Sequence, residues 1–312
     1  MRIFIQSEHI YPARDGGPGG GRVFDNLALG LVALGHEVIY YLKDNPTQPL
    51  PVGVTHTKHP VWDAEIYHIR SDSNLAEELI RRKLPWVATC HTDPAVWGLP
   101  RSVARRNWIS VSRTLAECFN SDRYVLNGID PSELLFKDKK ADYLLFVCAL
   151  RLAWRKGLSE AISLAKSTGR HLYVAGSDTD INLHEMVKQE TEQSGMTFLG
   201  EISGHKKATL FANASALLFP TKINESFGLV LAEAMMSGTP VICSSKGACT
   251  ELVTPCVGFI CRTREEYLRS IESSKNILPR QCRSYAMENF HYLRMAKDYV
   301  KEYQKELNFH KE

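Results

Sequence analysis

Short apolar runs alternate with amphipathic segments along almost the whole chain, and this alternation constrains the fold more than any other feature. Residues 2–6 read as a strand. Residues 23–34 carry Val23, Leu27, Leu31 and Leu34 at helical spacing, Gly35 caps them, and residues 38–42 read as a second strand. A strand, a helix and a strand joined this way pair in parallel. Further strands are expected at 52–54, 66–69, 86–89 and 108–111, with a helix over 75–82. A second series starts at 143–148 and continues through 171–176, 196–199, 216–219, 241–243 and 257–260. Its helices are expected at 158–165, 206–213 and 229–236, and the remainder of the chain is largely helical. The pattern predicts an α/β protein of doubly wound parallel sheets.

A chain of 312 residues suits two domains. The seam is expected between about 127 and 140, where Asn127-Gly128 and Asp130-Pro131 punctuate turns and residues 137–142 are polar. This gives domains at 1–135 and 136–291, the first joined by a final helix over about 292–312. Apolar residues make up 44% of the chain, enough for full cores. A formal charge of +3 gives no bulk attraction to nucleic acid. Eight cysteines without a Cys-x-x-Cys pair read as reduced, buried thiols of a cytoplasmic protein. Residues 1–5 begin a strand instead of a signal-peptide apolar region, and no apolar run reaches the roughly 18–20 residues that span a bilayer.

The densest candidate chemistry lies between residues 219 and 236. Pro220 ends an apolar strand, Glu225-Ser226-Phe227-Gly228-Leu229 forms a turn, and Glu233 follows about two turns into a helix. Positions eight apart lie near one helical face. Amides at a helix start suit phosphate, and carboxylates suit sugar hydroxyls. Two glutamates at this spacing are also common on an ordinary solvated helix, but Glu225 follows a terminated strand. Arg151 and Lys156-Gly157 stand just past the strand 143–148, where two cations can neutralise a departing diphosphate or simply form surface ion pairs. Trp154 between them packs over a ligand or covers the strand end.

In the first half, five glycines between 16 and 21 precede a helix, and glycines there let phosphate or sugar approach the backbone. The run matches neither a dinucleotide fingerprint nor a Walker loop. His91 follows the strand 86–89, where a cleft histidine can orient or deprotonate a ligand, or serve as a structural donor. Ser110 and Ser112 end the next strand, and Asp93 reads as a helix cap or a carboxylate of the same crevice. Asp178-Thr179-Asp180 reads as a helix-capping turn, with metal binding the weaker alternative. Residues 97–108 mix two tryptophans with Arg101, Arg105 and Arg106 and read either as a solvated basic face or as a weak peripheral membrane contact.

Taken together, the Glu225 to Glu233 element, Asn127-Gly128-Ile129-Asp130, Arg151 with Lys156-Gly157, the glycine loop before a helix ending Gly35-His36-Glu37-Val38, and Glu251 resemble the GT-B retaining glycosyltransferases of family 4, glycosyl transferases group 1. The resemblance runs from Met1 to about residue 300, with a glycine loop richer than the family's usual pair and a shorter first domain. It implies two Rossmann-like domains facing across a cleft, and transfer of a sugar from a nucleotide diphosphate sugar, UDP- or GDP-linked, to a hydroxyl. The acceptor would be an unidentified sugar, lipid-linked or small molecule. Arg151 and Lys156 would bind the diphosphate, Glu233 the ribose and Glu225 the donor sugar. Amides near Ser226, Phe227, Gly228 and Leu229 would meet sugar and phosphate. Residues 16–21, with Gly19, Gly20 and Gly21 as the contacts, would lie near the donor phosphate and the acceptor, and His91 would match the family's cleft histidine. The implied reaction retains configuration by a front-face route and needs no metal and no cofactor. A non-catalytic nucleotide-sugar binder with a decayed acceptor side is the alternative, and oligomeric state is left open.

Overall fold

Strands buried on both faces of a parallel sheet read as continuous apolar runs, and those of this chain are of that kind. The computed structural model describes residues 1–7, 10–13, 19–92 and 106–311. The chain divides into two compact units, Met1–Ile129 with Phe290–Glu312, and Asp130–Asn289. In the first unit, β1 (Arg2–Gln6), α1 (Gly19–Ala33), β2 (Glu37–Tyr41), β3 (Val54–Thr57), β4 (Ile66–Arg70), α2 (Leu75–Arg81), β5 (Trp86–Cys90), β6 (Trp108–Ser110) and α3 (Arg113–Cys118) follow in order. The strands pair in parallel in the order β3-β2-β1-β4-β5-β6. Ile3, Phe4, Ile5, Val38, Ile66 and Val87 are fully buried in it.

Two local expectations change. The strand expected at 52–54 begins only at Val54, because Gly53 takes a left-handed turn at φ +91° and Val52 is exposed. Gly19, Gly20 and Gly21 belong to the first turn of α1 and not to the loop before it.

The second unit runs β7 (Tyr143–Val147), α4 (Leu158–Ser167), β8 (His171–Ala175), α5 (Ile181–Gln193), β9 (Thr197–Phe198), α6 (Gly204–Asn213), β10 (Ala216–Phe219), α7 (Leu229–Met236), β11 (Val241–Ser244), α8 (Cys249–Leu252), β12 (Gly258–Cys261), α9 (Arg264–Ser273) and α10 (Pro279–Asn289). Its sheet order is β12-β11-β10-β7-β8-β9, all parallel. The chain therefore starts at a central strand, steps out through β8 and β9, and returns to β10 on the other side of β7. Phe146, Leu158, Ile162, Val174, Leu218 and Ile242 form the core on one side of this sheet. Trp154 packs against that core and donates its Nε1–H to Glu190 at 2.7 Å, so it covers the strand end. All eight cysteines are free thiols. Among the described residues no helix is long and apolar enough to cross a membrane.

The last helix, α11 (Tyr292–Phe309), is part of the first unit and buries Met295, Ala296, Tyr299 and Tyr303 against it. Its docking is polar as well as apolar. His68 on β4 exchanges hydrogen bonds with the Tyr303 hydroxyl at 2.7 Å and with the Thr89 hydroxyl at 2.6 Å, and Thr89 in turn meets Tyr299 at 2.7 Å. Arg106 grips buried Glu306 with two bonds of 2.8 and 2.7 Å, and Arg123 donates to Glu302 at 2.8 Å. Burial, reinforced by the charge of His91, pushes His68 from its ordinary 6.5 down to about 3.

The sign of the resulting pH dependence follows from that depression. An unfolded chain protonates this imidazole near pH 6.5 while the folded chain resists to about pH 3, so stability falls as pH falls through that window. Between pH 7 and pH 5, His68 alone should remove about 2 kcal/mol. Urea unfolding of wild type and of His68→Gln at both pH values measures this. The variant should lose correspondingly less stability on acidification, whatever its stability at pH 7, and equal losses would contradict the assignment.

Candidate functional site

All carboxyl-end loops of a parallel sheet leave from one edge, and they diverge where the strand order reverses, which opens a crevice there. In the second unit the reversal falls between β7 and β10. The segment after β7 makes a short 3-10 turn over Leu150–Leu152 and reaches Gly157, the residue before α4, at φ +90°. A Cβ on Gly157 would stand 2.1 Å from the carbonyl oxygen of Pro220, just past β10. Only glycine lets these two loops touch. The Lys222 N–H donates to the Arg155 carbonyl at 2.9 Å and fastens them further.

This contact brings Lys156 and Glu225 together as an ion pair with both side chains largely shielded from solvent. The ammonium also lies 5.2 Å from the Phe219 ring. Glu225 is fixed from behind by the loop after β11. It forms a bridge with Gly247, and the Ala248 N–H donates to the Glu225 carbonyl at 2.8 Å. A Cβ on Gly247 would lie 2.3 and 2.4 Å from the Glu225 carbonyl oxygen and nitrogen. Past Ser226, Phe227 and Gly228, α7 begins at Leu229, and the first amides of a helix have no intrahelical acceptor. A cation, a carboxylate and a helix start thus converge at the strand switch, a combination suited to an anionic ligand that also carries hydroxyls.

Glu233 is the fifth residue of α7 and is buried, with the Lys207 ammonium of α6 donating to it at 2.8 Å. The eight-residue spacing suggested one helical face for both glutamates. Glu225 stands in the turn before α7, where the sequence placed it, so the two do not share a helical face, and the two carboxylates pair with different cations. Arg151 is about half exposed and lies 3.6 Å from Asp178; its backbone N–H donates to the same carboxylate at 3.3 Å. The backbone N–H of Asp180, helped by Arg151, holds Asp178 below the usual carboxylate range. Asp180 caps α5 by accepting from the Asn182 N–H at 2.9 Å, as the capping reading of this turn requires.

In the first unit, a Cβ on Gly20 would meet the His91 ring at 3.6 Å, so the first turn of α1 lies against this imidazole. Phe24 meets it edge-on at 5.7 Å. His91 Nε2 is sealed from solvent and has no hydrogen-bond partner among the described residues. Burial, followed by the Arg70 charge, lowers His91 from 6.5 to about 4. Gly19 and Gly21 flank Gly20 in the same turn. Ser112 is committed to capping α3, accepting from the Leu115 N–H at 3.1 Å, and Ser110 pairs with Tyr124. Asp93, residues 14–18 and residues 97–105 lie outside the described residues. The described end of the basic, aromatic stretch is engaged within the unit: Arg106 holds Glu306 and Trp108 is buried against Phe119.

Three residues of the second site escaped sequence reasoning. Lys207 lies 26 residues from Glu233, and no local pattern joins them. Asp178 figured only as a cap or metal ligand. Gly247 shows its role only through its distance to Glu225.

Two doubly wound parallel sheets in one chain, together with the likeness to solved glycosyltransferases, give the GT-B form of the α/β class. The chain belongs to the family described as "Glycosyl transferases group 1", whose profile matches residues 132–288. It is 31% identical over 154 residues to the O-antigen chain mannosyltransferase RfbU of Salmonella typhimurium, covering 46% of this chain and 42% of that protein. It is 32% identical over 106 residues to a GDP-mannose-dependent alpha-mannosyltransferase of Mycolicibacterium smegmatis, covering 34% and 27%. The matches therefore span less than half the length of these curated relatives. The solved structure of AviGT4, a glycosyltransferase involved in avilamycin A biosynthesis, superposes with a TM-score of 0.81 at 22% identity, over 99% of this chain and 98% of that one, a likeness of fold.

The packing of Gly247 makes a thermal test possible. Gly195→Ala also places a side chain at positive φ (+75°), but nothing lies within 4 Å of its Cβ. It should cost about 1 kcal/mol. Gly247→Ala, at φ +57°, must in addition displace the Glu225 backbone and should cost about 2–4 kcal/mol. Thermal unfolding compares the two, and equal costs would show that the Gly247 contact does not hold Glu225.

Proposed function

We propose that this chain is a retaining glycosyltransferase of family 4 that moves a sugar from a UDP- or GDP-sugar to an acceptor hydroxyl, without a metal. The observation that carries this reading is the Lys156–Glu225 pair, seated at the strand switch beside the start of α7. A nucleoside diphosphate sugar needs such a surface: a cation and helix amides for the diphosphate, and a carboxylate for the sugar hydroxyls beside it. Arg151, exposed at the end of β7, supplies a second cation when it leaves Asp178. Glu233 takes the ribose hydroxyls. The mannosyltransferase relatives, one of them named as GDP-mannose-dependent, make GDP-mannose the first donor to try.

In the proposed step the bond from the anomeric carbon to the diphosphate oxygen breaks as Lys156 and the α7 amides take up the developing charge. The acceptor oxygen bonds to the same face of the sugar, and its proton passes to the departing phosphate oxygen. Glu225 holds the donor sugar in place while this happens. His91 and the turn Gly19 to Gly21 are assigned to the acceptor, and an imidazole that stays neutral down to about pH 4 accepts a hydrogen bond at neutral pH. The acceptor is a sugar, lipid-linked or small-molecule hydroxyl, and the free thiols fit a cytoplasmic enzyme.

Glu225→Gln and Lys156→Met should each lower kcat/KM for transfer by about 100-fold or more while leaving a cooperative thermal transition. Transfer from radiolabelled GDP-mannose and from UDP-glucose to a panel of acceptors provides the assay. Near-wild-type turnover of both variants at saturating donor would remove the proposal. GDP or UDP at 100 times its dissociation constant should add roughly 2.7 kcal/mol of stability, and the nucleotide that does so identifies the donor's base.

A further inference from the structure

Glu233, the proposed partner of the ribose hydroxyls, is tied to a lysine on another helix. We infer that Lys207 is a positioning residue for the ribose: it holds the buried Glu233 carboxylate charged and turned so that a vicinal diol can bond to it. The inference rests on the assignment of Glu233 to the nucleotide's ribose. A carboxylate as buried as Glu233 loses its hydration, and without a nearby cation it either protonates or destabilises the fold. A protonated carboxyl would no longer offer two acceptor oxygens to two hydroxyls. Lys207 supplies a full charge at 2.8 Å from one oxygen. Its own freedom is small, because its side chain is only 14% exposed and its ammonium lies 6.0 Å from the ring of Phe211, one turn further along α6. Phe211 is fully buried, so the lysine stem is backed by the core.

Lys207 is in the first turn of α6, which leaves the loop at the carboxyl end of β9, and it reaches α7, whose start lies beside the Lys156–Glu225 pair. It ties the helix that starts at one end of the carboxyl edge to the carboxylate meant for the ribose. A charge set there decides how well the protein tells a ribonucleotide from its deoxy counterpart, more than how tightly it holds phosphate.

The test compares GDP with 2′-deoxy-GDP, and UDP with 2′-deoxy-UDP, by isothermal titration of the full chain. Wild type should favour the ribonucleotide of the pair it binds by about tenfold or more, the range of a hydrogen bond to a charged acceptor. Lys207→Met and Lys207→Gln should bring that ratio close to one, mostly by weakening the ribonucleotide, and Lys207→Arg should restore much of it. Circular dichroism melts confirm that the variants fold, and the Gln variant keeps the test alive if Met does not. A merely structural lysine would weaken both nucleotides equally, and an unchanged ratio in Lys207→Met or Lys207→Gln overturns the inference. The parent reading fails separately. If wild type binds neither nucleotide, or if Glu233→Gln keeps the full ribose preference, then Glu233 is not the ribose acceptor and both ideas fall.

Discussion

The second unit depends on how closely two loops approach at the strand switch. Gly157 lies against Pro220, and Gly247 lies against Glu225, each too close for any side chain. These contacts are made of backbone and leave little room for adjustment. They fix the point from which Lys156 and Glu225 project, and so they hold two opposite charges together in partial burial. Breaking such a pair by removing one partner leaves an uncompensated charge and costs stability. The same edge carries the start of α7, whose opening amides need no side chain of their own.

The first unit is organised by a different constraint. Its sheet is completed on one side by α11, a helix from the far end of the chain, and a buried hydroxyl and imidazole relay fixes the docking. Every polar atom of that relay is matched, with a neutral imidazole giving one bond and taking another between Tyr303 and Thr89. At its outer end Glu302 and Glu306 turn toward Arg123 and Arg106, so the helix is fastened by charge near the surface and by hydroxyls in the core. The two arginines reach α11 from the segment that leads into β6 and the one that follows α3.

The fold class was legible because strands covered on both faces read as continuous apolar runs, as at Ile3, Phe4 and Ile5 or at Leu144, Leu145 and Phe146, with helical-period segments between them. Ends of elements were less so. Val52 is as apolar as a strand residue, but Gly53 beside it takes a turn that hydropathy does not record. Gly19 to Gly21 read as loop because glycine is a poor helix former, whereas tertiary packing against His91 draws them into the first turn of α1. Candidate chemistry was visible where residue type and strand end coincide, as at Lys156 and Glu225. The pairing of those candidates was not visible, because it is set by contacts between residues 69 positions apart, and for Glu233 the partner comes from a helix with no distinctive motif.

The placement of α11 also governs how this protein is made. Residues Met1–Ile129 leave the ribosome without the helix that covers His68 and Thr89, while Asp130–Asn289 is a continuous stretch that holds its own sheet and core. The middle of the chain can therefore reach its native form during synthesis, whereas the beginning waits, with a buried imidazole uncovered, until the final helix emerges. A nonsense codon between Phe290 and Tyr299 would spare the second unit and strand the first.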